Sequence, residues 1–142
     1  LSASGALDLK MGGQPVAFAD TTSQRRSVYG LIDRQKIPAM LTTFDFPSRD
    51  AHSAQRHHTL VPQQMLFMMN HPFVMAAGTR TAERAKGDRP LAGQLQELYR
   101  LILLRAPTDA ELQAALQFVA SGGSSEELAQ ALFMSNEFIY LD

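Results

Sequence analysis

Apolar side chains recur with helical spacing through the C-terminal part of this sequence. Leu95, Leu98, Tyr99 and Ile102 stand at i, i+3, i+4 and i+7, which predicts a helix from about Leu91 to Leu104 with one buried stripe. Pro107 follows its end. Thr108 and Glu111 then have capping-box spacing, in which the hydroxyl accepts from the third amide and the carboxylate reaches back to the cap. Leu112, Ala115, Leu116 and Val119 repeat the same period up to Gly122-Gly123, which should stop the helix. Ser124 and Glu127 form a second capping box. Leu128, Ala131, Leu132 and Ser135 carry that last helix toward Phe138 and Ile139.

Upstream the pattern is less regular. Pro62 suits the first turn of a short helix over Gln63 to Asn70, the His71-Pro72 pair should interrupt it, and a second helix is predicted from Pro72 to Lys86, closed by Gly87. Asp20, Thr22 and Ser23 offer cap oxygens for a helix through about Lys36, with Val28, Leu31 and Ile32 on one face and Arg26, Tyr29 and Asp33 on the other. Residues 1 to 20 contain Gly5, Gly12, Gly13 and Pro15 without a helical period, and read as an extended arm with one short hairpin at Gly12-Gly13. A polar stretch lies between Phe44 and Val61, where a long loop in a compact domain points to function or mobility. No segment alternates strongly as a strand would. The expected fold is therefore all-α, about six helices, with an arm over 1–20 and a single helical domain over 21–142 whose C-terminal three-helix unit is the most regular part.

The chain has 142 residues, no cysteine and no tryptophan, a length that can bury a real core without staples. Disulfides, thiolate zinc, iron–sulfur clusters and covalent haem attachment are excluded. Thirteen Lys and Arg stand against fourteen Asp and Glu, a net charge of −1, which argues against a nucleic-acid partner. That total conceals an asymmetry: residues 107–142 carry six acidic and no basic side chains, several of them in helix first turns, where the dipole favours them. No apolar run approaches a membrane span. Leu1 is not an initiator Met, so the sequence reads as a piece of a longer protein.

Four histidines, His52, His57, His58 and His71, lie in or beside the polar loop, near Asp45 and Asp50. Their spacing matches no metal motif, so surface or capping roles are expected and no metal is assigned. Arg25, Arg26, Arg34, Arg49 and Arg56 could fork onto carboxylate, phosphate or sulfate. The simpler reading is an internal lattice in which Arg26, Asp33, Asp45 and Arg56 pin the loop, because a loop without regular structure needs partners for its backbone. Met65, Met68, Met69 and Met75 fit core filling better than a docking groove. The binding candidates are Arg25, Arg26, Tyr29, Arg56, His57 and Gln63. Should the site be hydrolytic, His57 or Asp45 would be its general base, acting with Arg26 and Arg56 on a glycan or related ester.

The segments Arg25-Arg-Ser-Val-Tyr-Gly30, Phe44-Asp-Phe-Pro47, Thr59-Leu-Val-Pro-Gln-Gln-Met-Leu66 and Asn70-His-Pro-Phe73 occur in that order. Leu98-Tyr-Arg-Leu-Ile-Leu-Leu-Arg105, Pro107 to Leu112 and Leu128 to Phe138 follow them. Together they closely resemble a planctomycete-specific C-terminal domain of unknown function. The resemblance covers nearly the whole chain and carries over no catalytic residue. It implies the C-terminal part of a large exported protein, behind a cytochrome c-like domain, in an extracytoplasmic setting. The expected role is a structural or interaction module whose partners are neighbouring domains and an anionic polysaccharide, with no cofactor in this chain.

Overall fold

The computed structural model describes residues 1–17, 23–33, 35–44, 46 and 61–140. Two compact units divide the chain: Leu1–Ala6 with Met68–Asp142, and Leu7–Phe67. As expected, the protein is mostly helical.

In the larger unit the core is built on α3 (Pro72–Lys86), α4 (Leu91–Leu103), α5 (Asp109–Ala120), α6 (Ser125–Phe133) and α7 (Asn136–Ile139). The central element is α4, which packs against α3, α5, α6 and α7. Its buried residues are Leu95, Leu98, Tyr99 and Ile102, the stripe that the sequence spacing gives. Both predicted capping boxes form, Thr108 with Glu111 and Ser124 with Glu127. At the end of α5 the Gly122 N–H donates to the Val119 carbonyl and the Gly123 N–H to the Phe118 carbonyl, each at 3.1 Å. This double closure needs a left-handed residue at Gly122, whose φ is +103°.

The face of α3 is made of small side chains, with Val74, Gly78, Thr81, Ala82 and Ala85 buried. It lies against α6, which buries Ala129, Leu132 and Phe133. The apolar face of α6 is thus rotated by one residue from the expected Leu128, Ala131, Leu132 and Ser135; Ala131 is exposed. Close approach decides this register, since a Cβ on Gly78 would stand only 3.3 Å from the Glu126 carbonyl oxygen. The α6 backbone at Glu126 and Gln130 therefore lies close against Gly78 of α3.

The single last helix that the pattern predicts is two helices. Ser135 Oγ donates to the Leu132 carbonyl at 2.7 Å and accepts from the Phe138 N–H at 3.3 Å. A serine that offers the backbone both bonds ends one helix and caps the next.

Met68 and Met69 lie near the end of α2 (Pro62–Asn70), and the start of α3 leaves their carbonyls without helical donors. Pro72 has no N–H for Met68, and the Phe73 N–H that would serve Met69 donates instead to His71 Nδ1 at 3.2 Å. Gln130 of α6 supplies both bonds, Nε2 donating to the Met68 carbonyl at 3.0 Å and the Met69 carbonyl at 2.6 Å. Replacing Gln130 with Met removes both donors and should cost about 1–2 kcal/mol in urea melts. Gln130→Glu should cost more, because a carboxylate would face two carbonyl oxygens; a glutamate variant as stable as wild type would refute this role.

The smaller unit departs furthest from expectation. The described residues between 23 and 36 do not form the expected helix: a 3-10 turn spans Ser27–Tyr29, followed by the short strand β2 (Gly30–Leu31). The Gln24 carbonyl, which in a helix would accept from Val28, accepts from the Asp8 N–H at 2.8 Å. Gly30 further weakens a helix there, and Asp33 Oδ1 accepts from the Gln35 N–H to form a local turn. Nor does Gly12-Gly13 make a hairpin. The strand that follows it, β1 (Val16–Ala17), runs parallel to β2, with Val16 opposite Gly30. One short helix was not legible, α1 (Ala39–Thr43). The buried Gln64 of α2 closes it by donating Nε2 to the Thr43 carbonyl at 2.9 Å, and Phe44 meets Phe67 edge to face at 5.3 Å.

Candidate functional site

Of the binding candidates, Arg25 and Tyr29 are brought together. Asp8 bridges to Arg25 through backbone pairing, and its Oδ1 accepts from the Lys10 N–H at 2.9 Å, turning the chain into residues 10–14. Gly12 and Gly13, at φ +72° and +93°, let this loop curl around one guanidinium. Arg25 Nη1 donates to the Gln14 carbonyl at 2.9 Å, and Nη2 donates to the carbonyls of Lys10 and Gly12. The guanidinium carbon lies 4.1 Å from the centre of the Tyr29 ring, a cation–π stack. Tyr29 Oη accepts from the Gly12 N–H at 3.1 Å. Both side chains are therefore committed to their own backbone. Arg25→Lys keeps the charge but loses the planar fork and stack, so the Gly12 amide should exchange with solvent about fivefold faster, equivalent to about 1 kcal/mol of local stability. Unchanged exchange would show that the loop holds itself.

The other candidates are dispersed or lie outside the described residues. Arg26 is exposed, with no side-chain hydrogen bond or ion pair to a described residue. Gln63 is also exposed, and its neighbour Gln64 takes the buried position. His71 caps α3 through Nδ1. Met69 and Met75 are about half exposed, whereas Met65 and Met68 are more covered. Asp45, Asp50, His52, His57, His58, Arg34, Arg49 and Arg56 lie outside the described residues, and so does the proposed lattice between Asp45 and Arg56. Among the described residues, no group of three or more His, Asp or Glu is placed to hold a metal ion. No helix of the described residues is long and apolar enough to cross a membrane.

Two arginines absent from the candidate set do comparable work. Arg84 Nη1 donates to the carbonyls of Ser2 at 3.2 Å and Ala3 at 2.9 Å. Arg105 forks onto Glu111 with Nη1–Oε2 2.8 Å and Nη2–Oε1 2.7 Å, and onto Glu137 with Nε–Oε1 2.6 Å and Nη2–Oε2 2.7 Å. The Arg105 hydrogen bonds, helped by the Thr108 backbone N–H, hold the Glu111 carboxyl down from 4.5 to about 2. Arg105 lowers Glu137 as well. Burial first, then the Glu111 charge, pushes the Tyr99 phenol up. A depressed carboxyl contributes stability above its unfolded value that is lost as pH falls toward its folded value. The melting temperature should therefore decline between about pH 4.5 and pH 2, less steeply in Glu111→Gln than in wild type. Added salt should shrink the difference, since these groups are partly exposed; parallel pH profiles for the two proteins would refute it.

The family model described as PSD1, protein of unknown function (DUF1553), matches residues 1–119. The chain belongs to this family. No curated protein and no solved structure matches it. The PSD1 match spans the Arg25–Tyr29 cage and α1 to α5, and it ends before α6. The core of the larger unit nevertheless includes Ala129, Leu132 and Phe133 of α6, so this PSD1 chain completes its packing with residues beyond the matched region. The signal for Arg25 was its place in the R-R-x-V-Y segment. Arg105 and Gln130 also stand in such segments and Arg84 in none, but their roles were not legible, because their partners are distant in sequence or are backbone carbonyls.

Proposed function

We propose that this domain is a non-catalytic structural and interaction module at the C-terminus of a large exported, extracytoplasmic multidomain protein of planctomycete type. Its partners on this reading are the neighbouring domains of the parent and an anionic surface polysaccharide, while polysaccharide processing or electron transfer belongs to other domains. The supporting observation is the Arg25–Tyr29 cage: two of the binding candidates hold their own backbone. Arg84 is used in the same way.

The test presents the chain, and the full-length parent, with sulfated, carboxylated and neutral polysaccharides. Co-sedimentation and release of reducing ends are measured together. Salt-sensitive retention by an anionic polymer without product release is the expected result for the chain alone. Turnover by this chain that is abolished in His57→Ala or Asp45→Asn, with an unchanged circular dichroism spectrum, would overturn the module reading in favour of a hydrolase.

A further inference from the structure

Arg105 stands where two otherwise separate local structures meet. On one side is the first turn of α5. There Glu111 Oε2 accepts from the Thr108 N–H at 2.7 Å and from Thr108 Oγ1 at 3.0 Å, while Thr108 Oγ1 accepts from the Glu111 N–H at 3.3 Å. On the other side is α7, held by Glu137 and by the contact of Phe138 with Phe133 at 5.0 Å between ring centroids. The two carboxylates divide one guanidinium between them. Nη1 serves Glu111 and the Ala106 carbonyl, Nε serves Glu137, and Nη2 donates to both carboxylates at 2.7 Å.

A guanidinium is planar and its donors are fixed relative to one another. Seating one edge on Glu137 therefore orients the other edge toward Glu111, and the reverse holds equally. The second capping box is an internal contrast: Ser124 and Glu127 make the same reciprocal bonds, and no arginine bond to Glu127 is found among the described residues.

We propose that α7 is a strap whose docking and the capping of α5 are one coupled event, transmitted through Arg105. Docking of α7 orders the α5 first turn, and an intact α5 cap favours docking by the same factor, because coupling between two equilibria is reciprocal. Arg105 is a positioning residue in this device. Detaching α7 would also uncover Phe133 and leave the guanidinium with half of its partners.

Amide hydrogen exchange on the whole chain tests this, because each structure has its own reporters: Thr108, Glu111 and Leu112 for the α5 cap, and Phe138, Ile139 and Tyr140 for α7. Glu137→Gln weakens the charged attachment. Phe138→Ala loosens α7 without touching a charge. Both variants should raise exchange at Glu111 and Leu112 by about threefold or more, a typical coupling between contacting groups, and leave Glu127 and Leu128 unchanged. In an Arg105→Met background, Glu137→Gln should no longer affect the α5 amides. A rise confined to residues 138–140 would overturn the proposal, as would an equal rise at Glu127, which would mark general loosening.

Discussion

Leu98→Ala should lower the unfolding free energy by about 3–5 kcal/mol, the upper part of the range for a buried leucine truncated in a core. The placement of α4 determines this magnitude. Leu98 and Leu95 are both 0% exposed, and the helix is flanked by α3, α5, α6 and α7, so no neighbour can collapse into the space without leaving another partner. Leu104, one residue past the helix, is 89% exposed and sits at φ +59°. Leu104→Ala removes little burial and should stay within about 0.5 kcal/mol of wild type. Leu116 is only half-buried, so its truncation should fall between the two. Urea melts of the three variants give the order directly, and a Leu98 effect no larger than that of Leu104 would contradict the packing described.

Gly78→Leu is expected to destabilise the larger unit by about 3 kcal/mol, at the high end for overpacking a tight contact. What a side chain meets at this position is the α6 backbone, with the Glu126 oxygen 3.3 Å and the Gln130 nitrogen 3.7 Å from the added Cβ. Backbone cannot swing aside as the tip of a long side chain can. The two helices would have to separate, drawing Gln130 away from the Met68 and Met69 carbonyls that it serves. Gly78→Ala is the informative companion: helix propensity favours alanine by up to about 1 kcal/mol, which should roughly offset a contact that α6 can meet by a small shift. Thermal melts should therefore show a near-neutral alanine and a much weakened leucine. A leucine variant as stable as wild type would mean that α3 and α6 are not in close contact.

The candidate site was legible in part, and the reason is chemical. Arginine, tyrosine and a glycine pair close together in sequence announce polar contacts without saying with what. In the structure, Arg25 takes three carbonyls between residues 10 and 14. Every residue has a carbonyl, so no pattern of side chains could have identified these partners. Gln63 and Gln64 pose the same problem, since adjacent identical residues differ only in which one the helix turns inward. The mistaken helix over 23–36 has a related cause. Its apolar spacing is compatible with a helix, but the Gln24 carbonyl is taken by Asp8, sixteen positions upstream, and a long-range backbone pairing leaves no mark on local periodicity.

Features that close within a turn of the chain were determined by the sequence itself. The capping boxes at Thr108 and Ser124, the interruption at His71-Pro72, the Gly122-Gly123 stop and the buried stripe of α4 each depend on residues no more than five positions apart or one helical step along a stripe, which a helix brings together wherever it lies. Tertiary structure alone decided which face of α6 is buried, because Gly78 of α3 comes close to the backbone of Glu126 and Gln130 across two helices. It also decided that Gln130 serves two carbonyls of α2, and that Arg105 joins α5 to α7. In each case the energy lies in an approach between distant segments, fixed by volume and hydrogen-bond geometry after the helices have formed.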